Sequence, residues 1–343
     1  MTDSQNGATL STDEARRLLC ALQDHIRDAI IAARDTAAAD SFSNIAAVTE
    51  ADTIYEIDKI SEDAIFEWFE AHWPTDSPVE LVMEGIEEGD AVTFPRGTPV
   101  ESTQWKCILD PIDGTRNIMY DKRSAWILGG LAPQRGAATR LSDITIAALS
   151  ELPTSKQWRA DQISGVKGAG REGIVSEMIN VQTGERKPLP LRPSQAHDFK
   201  HGFASLVRFF PEGKALMAQL EEELWDELYG LGSTTSPLVF DDQYIATGGQ
   251  IYELLVGHDR MLGDLRPMAL AKLGFQSSLV CHPYDICVAL LLEEAGGVIE
   301  APDGSALDIP LDTVSPVAWM GYANETLAAQ VRPILSRLMQ KHF

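Results

Sequence analysis

The sequence predicts an α+β first half followed by a mixed α/β second half. Three observations carry this. Apolar residues recur at helical spacing near the N-terminus. Apolar segments of strand length fill much of residues 79–180, and helical and strand-like segments alternate beyond residue 195.

Taken in order, Ser11 and Glu14 form a capping-box pattern ahead of Leu18, Leu19, Leu22, Ile26 and Ile30. A second helix fits Asp58 to His72, with Ile60, Ala64, Ile65, Trp68 and Phe69 inward and Pro74 just beyond. "VELVMEG" and "WKCILD" then read as strands that each end on a carboxylate, Glu84 and Asp110. "SAWILGGLAP", "DITIAALSEL" and "GIVSEMINV" continue as strands between turns. The Pro-rich "KPLPLRPSQ" (187–195) divides the chain into an N-terminal α+β part, 1–190, and a C-terminal α/β part, 191–343.

In the second part, "GKALMAQLEEELWDELYG" reads as a helix closed by Gly230. Ser236 and Pro237 suit the start of another helix that stops at Gly248, with "QIYELLVG" as a strand after it. "HPYDICVALLLEEAGG" reads as one helix ending on Gly296. The strands "GVIEAP" and "PVAWMGYA" follow, then an amphipathic helix from Asn324 that Pro333 should kink.

With 51 acidic against 28 basic residues the formal charge is −23, which argues against nucleic acid or an anionic membrane as partner. An anionic substrate would need local positive charge, and metal ions can supply it. No stretch approaches the roughly 18 apolar residues of a membrane span. The polar, acidic start lacks the pattern of a secretory signal, so the sequence predicts a cytoplasmic protein. Cys20, Cys107, Cys281 and Cys287 form no CxxC pair and read as reduced packing residues.

The chemistry is concentrated in "DPIDGT" (110–115). Asp110 ends a strand, Pro111 restricts the backbone and Asp113 returns three residues later, so both carboxylates can face one point. Carboxylates that close repel unless a cation lies between them, and magnesium takes hard oxygen ligands. Gly114 lets the chain turn, and a helix starting there would aim the amides of Gly114 and Thr115 at an anion. The same residues also fit an Asx turn capping a short helix. Likewise Asp58 and Asp285, each at a predicted helix start, fit plain capping roles.

The order Asp58, Glu84, Asp110–Thr115, Asp285–Gly297 resembles the inositol monophosphatase superfamily, the lithium-sensitive, magnesium-dependent phosphatases. "DPIDGT" matches its central motif, and "YDICVALLLEEAGG" is similar to its second. "GVKGAGREGIVSEMINV" resembles its Gly-rich hairpin, and "GSTTSPLVFDDQYIATGGQIYE" its Gly-Ser helix with the strand after it. The resemblance implies a layered αβαβα sandwich like that of inositol monophosphatase and fructose-1,6-bisphosphatase, and a homodimer. It implies that Asp110, Asp113, Asp285, the Ile112 carbonyl and Glu84 (or Glu87, if the register slips) bind magnesium, roughly two or three ions. Thr115, oriented by Asp58, would activate the attacking water. Gly114, Thr115, Ser233 and Arg266 would contact phosphate or substrate. The implied reaction is hydrolysis of an inositol or sugar phosphate, with fructose-1,6-bisphosphatase, nucleotide 3′-phosphatase or a non-catalytic relative as alternatives. Tyr284 stands where the family has Trp. Residues 257–283, with Arg260, Arg266 and His282, depart from the inositol-binding pattern and read as a rebuilt substrate wall.

Overall fold

The computed structural model describes residues 10–36, 45–48, 53–86, 90–233, 236–275 and 279–343. Helix α1 (Thr12–Thr36) opens on the expected cap: Ser11 Oγ donates to Glu14 Oε2 (2.6 Å) and accepts from Glu14 N (3.3 Å). A two-stranded ribbon, β1 (Ile45–Val48) and β2 (Thr53–Tyr55), leads into α2 (Glu56–His72). Both helices bury one apolar stripe, Leu19, Leu22, Ile26 and Ile30 from α1 and Ile65, Trp68 and Phe69 from α2.

That stripe covers one face of an eight-stranded sheet. Its members are β3 (Val79–Met83), β4 (Val92–Phe94), β5 (Trp105–Asp113), β6 (Ala125–Pro133), β7 (Ile146–Leu152), β8 (Arg159–Val166), β9 (Val175–Asn180) and β10 (Arg186–Pro188). The order is β10-β9-β8-β7-β6-β5-β3-β4, antiparallel throughout except for the parallel pair β3–β5. The short helix α3 (Thr115–Met119) joins β5 to β6. Alternate residues of β6 serve different layers: Ala125, Ile127 and Leu131 pack toward α1 and α2, Trp126, Leu128 and Ala132 toward the other side. A sheet covered on both faces explains why "AWILGGLAP" is apolar without interruption.

The remaining elements are β11 (Gly202–Leu206), α4 (Lys214–Tyr229), β12 (Val239–Phe240), α5 (Thr247–Val256), β13 (Asp259–Asp264), α6 (Arg266–Lys272), α7 (Pro283–Ile286), α8 (Ala289–Glu294), β14 (Val298–Glu300), β15 (Trp319–Tyr322) and α9 (Glu325–His342). The second sheet has the order β12-β11-β13-β15-β14. Helices α5, α7 and α8 lie against the first sheet, α5 and α8 also touch the second, and α4 and α9 pack on the second sheet's far side. The result is the expected α-β-α-β-α layering. One apolar cluster runs through the middle layer and both sheets. No helix among the described residues is long and apolar enough to cross a membrane.

Several elements differ from the sequence reading. The stretch after Ser236 is the short strand β12, and "QIYELLVG", read as a strand, belongs to helix α5. Gly248 and Gly249 open α5 because nothing larger fits: a Cβ at Gly248 would lie 2.4 Å from Leu128 Cδ2. The single helix expected after His282 is two, α7 and α8. Helix α9 begins at the Asn324 cap and runs through Pro333. Strands β4, β8, β11 and β13 were not apparent in the sequence. Lys187 and Pro188 of the Pro-rich stretch form part of β10, an outermost strand where proline is tolerated. All four cysteines are free.

Candidate active site

On a regular strand, residues three apart face opposite sides. Strand β5 extends beyond Asp110 to Asp113, and its pairing with β6 slips between them: Asp110 opposes Leu128 and Asp113 opposes Trp126. Three steps on β5 therefore meet two on β6. This one-residue bulge reverses the alternation, and both aspartates reach one side. Asp110 Oδ1 accepts from Ile112 N (3.0 Å), which braces the bulge from within.

Gly114 then turns the chain with φ 86°, and α3 starts at Thr115. A Cβ at Gly114 would sit 2.9 Å from both Ala246 Cβ and Ile245 O, so the second half of the chain is pressed against this turn. Asn117 Nδ2 donates to Ile245 O (2.9 Å) across the same seam. Asp113 Oδ1 and Oδ2 accept from the backbone N–H groups of Thr247 (3.2 Å) and Gly248 (2.5 Å), capping α5 from another part of the chain. Asp285, in the first turn of α7, accepts from His282 N through Oδ2 (2.6 Å). Its capping role and its place beside Asp110 and Asp113 are thus compatible. One carboxylate oxygen from each of Asp110, Asp113 and Asp285 lies within 4.8 Å of the others.

Burial makes this cluster electrostatically costly. It pushes the Asp110 carboxyl well above its ordinary value, with Glu84, Asp113 and Asp285 adding repulsion. Burial likewise raises Asp113 to about 7, against the two N–H donors of α5 and the Arg266 charge. Asp285 is raised well above the usual carboxylate range, first by burial and then by Asp113. The groups surrounding these carboxylates leave their charge only partly compensated.

The carboxylates line a cavity of about 120 Å³ together with Glu84, Ile112, Gly114, Thr115 and Arg116. Glu84 lies one residue beyond β3, in the turn made by Gly85. Thr115 Oγ1 donates to Ile112 O (2.9 Å). No cysteine or histidine lines the cavity among the described residues, so its donors are oxygens, the set a hard divalent cation prefers. The residues present therefore fit such an ion.

Other sequence-selected residues lie elsewhere. Asp58 is in the first turn of α2 and does not line the cavity. Ser233 also lies outside it, its hydroxyl donating to Gly230 O (2.6 Å) at the end of α4. Arg260 points to the 198–200 loop, Nη1 donating to Asp198 O (3.0 Å) and Lys200 O (2.7 Å). Arg266 does line the cavity, but Asp264 takes its Nε (2.9 Å) and Nη2 (2.6 Å), and Leu279 O takes Nη1 (3.1 Å). The His282 ring stacks on Tyr284, centroids 5.3 Å apart. Glu87 and Glu88 are outside the described residues.

Sequence reasoning missed Ala246, Thr247 and Gln250, which line the cavity from the start of α5. The pair Gly248–Gly249 was the available signal, read as a helix end when it marks a beginning. Gln250 Nε2 donates to Tyr244 O (2.7 Å), while its buried Oε1 has no hydrogen-bond partner among the described residues. Phe209 and Phe210 were also passed over, and both line the cavity.

No family model and no curated protein matches the sequence. Solved structures do match the fold. The extragenic suppressor protein SuhB from Bartonella henselae aligns over 96% of this chain and 99% of its own, with TM-score 0.62 and 14% identity. Fructose-1,6-bisphosphatase from Leishmania major aligns over 95% of this chain and 92% of its own, with TM-score 0.62 and 13% identity. A hypothetical protein from Pyrococcus horikoshii with similarities to inositol-1 monophosphatase aligns over 95% and 98%, with TM-score 0.58 and 15% identity.

Proposed function

We propose that this chain, which has the fold of the inositol monophosphatase superfamily, hydrolyses a small phosphate monoester with the help of magnesium. The observation that carries the reading is the trio of buried Asp110 and Asp113 with half-buried Asp285, all lining one cavity with oxygens within 4.8 Å. Phosphate-ester hydrolysis is among the slowest uncatalysed reactions, so the rate must come from charge stabilisation and a positioned water.

Asp110, Asp113, Asp285, Glu84 and the Ile112 carbonyl would hold the metal. When bound, it neutralises carboxylate and phosphate charge, lowers the pKa of water and stabilises the leaving oxygen. Lithium would compete for these ligands. Thr115 gives its hydroxyl proton to Ile112 O and so offers lone pairs to orient the attacking water. The phosphate would rest against Gly114 and Thr115, which line the cavity together with the exposed Arg116. Any part Asp58 plays is exerted through Thr115, as a positioning residue. Asp113 has a double duty, since the same carboxylate fixes the start of α5. The test is phosphate release from a panel of monoesters with magnesium and with a chelator. Full activity in the chelator, or none on any ester with metal, would refute the reading.

A further inference from the structure

The lining of the cavity has two characters. Part of it is the carboxylates, Thr115 and Arg116. Another part is an apolar wall of Phe209, Phe210, Leu279 and Val280, and Arg266 lines the cavity as well. Phe209 and Phe210 meet edge-to-face, centroids 4.9 Å apart at 80°, in the segment after β11. The Arg266 guanidinium lies 4.5 Å from the Phe209 centroid and 5.3 Å from that of Phe210, held there by Asp264. Arg266, which the resemblance places against phosphate or substrate, thus also supports an aromatic pair. Phe210 also lines a smaller adjoining cavity with Met217, Ala269 and Leu270.

Such a wall offers ring faces and edges, and each nitrogen of Arg266 already donates once, to Asp264 or to Leu279 O. A polyol leaving group placed there would bury hydroxyls without partners, which is costly. A leaving group that carries a flat ring would gain ring-on-ring contact and release water.

We propose that Phe209 and Phe210 select phosphate monoesters whose alcohol carries an aromatic ring, a nucleoside or a benzyl-type alcohol, over polyol phosphates. This rests on the phosphatase reading and names its substrate class. The bonds made and broken are those of ordinary monoester hydrolysis: water oxygen joins phosphorus, the ester P–O bond breaks, and the alcohol leaves with a proton.

The test compares benzyl phosphate, a nucleoside 5′-monophosphate and inositol 1-phosphate with magnesium present. All three release aliphatic alcohols, so intrinsic reactivity differs little. The two ring-bearing esters should exceed inositol 1-phosphate several-fold, up to about tenfold, in kcat/KM, mostly through KM, an aromatic contact being of that size. Phe209→Leu and Phe210→Leu should each shrink that ratio. A nucleotide well above benzyl phosphate assigns the ring to a base, and equality assigns it to the ring alone. Wild-type rates on inositol 1-phosphate equal to or above those on benzyl phosphate overturn the proposal and leave the phosphatase reading standing. Absence of hydrolysis on all three sinks that reading instead. The wall is then read by calorimetry with benzylphosphonate against methylphosphonate: at least about tenfold tighter binding of the former supports the aromatic wall, and equal binding overturns it.

Discussion

Asp113 accepts the backbone N–H groups of Thr247 (3.2 Å) and Gly248 (2.5 Å) through separate oxygens, so the carboxylate that would bind metal also anchors the start of α5. Asp110 has no such second task. Among the described residues its protein donor is Ile112 N, two residues along the chain.

The two aspartates should therefore respond differently to the same change. Asp110→Asn keeps an oxygen for Ile112 N and removes a repelling charge, so without metal it should melt no lower than the wild type. Asp113→Asn turns an NH₂ toward one N–H of α5 and should lose about 1–3 kcal/mol. Both should abolish phosphate release, and magnesium should raise the melting temperature of neither as it does the wild type's. Equal melting of the two variants in a chelator would refute the asymmetry.

The pH dependence of the metal-free protein follows from the same cluster. Burial raises Asp113 to about 7 and lifts Asp110 and Asp285 well above the usual carboxylate range. The folded state then holds protons that the unfolded chain has shed above about pH 4. Stability contributed by these groups is greatest at low pH and falls as pH rises through the folded values. Melting in a chelator should thus drop between about pH 5 and pH 8, and drop less in Asp110→Asn. A rise over that range would contradict it. Magnesium should flatten the slope.

The carboxylates were legible in the sequence because "DPIDGT" and "YDICVALLLEEAGG" are local. What makes them converge was not. The bulge that sends Asp110 and Asp113 to one face exists only in the pairing of β5 with β6. Strand β8 escaped notice because Asp161, Gln162 and Ser164 look exposed, yet all are buried. Besides Arg159 on the same strand, which pairs with Asp161, their partners lie on other elements: Tyr252 Oη donates to Asp161 (2.6 Å), Gln162 Nε2 to Ser150 Oγ (2.9 Å), and Arg16 Nη1 to Ser164 Oγ (2.9 Å). Helix α5 was misread because its cap, Asp113, lies over a hundred residues upstream.

Gly114→Ala should damage both the turn and the seam. The φ of 86° alone costs a side-chain-bearing residue about 1–2 kcal/mol. The new methyl would also press on Ile245 O and Ala246. We expect a lower melting temperature together with a large loss of turnover. A variant as stable and active as the wild type would mean that this close approach does not persist in solution.

Thr115→Ala should lower kcat about a hundredfold while KM stays nearly constant, the size expected when a group that orients the reacting water is removed. The fold should tolerate it, because Thr115 is only half-buried and loses a single local bond to Ile112 O. A sharp rise in KM at unchanged kcat would make Thr115 a binding residue only.

The two arginines of the 257–283 stretch separate cleanly. Asp264 is 1% exposed, and Arg266 is its ion-pair partner. Arg266→Ala would strand that carboxylate in the interior, with a loss of about 3–5 kcal/mol, and free the Phe209 ring it supports. Arg260 holds backbone carbonyls of the 198–200 loop away from the cavity, so Arg260→Ala should cost only about 1 kcal/mol and leave every substrate's rate unchanged. Arg266→Lys keeps the charge but loses the fork that grips Asp264, and should fall between the two in stability. Thermal melts and substrate rates measured side by side decide the matter. Similar losses for Arg260→Ala and Arg266→Ala would show that burial of the Asp264 pair is not what distinguishes these residues.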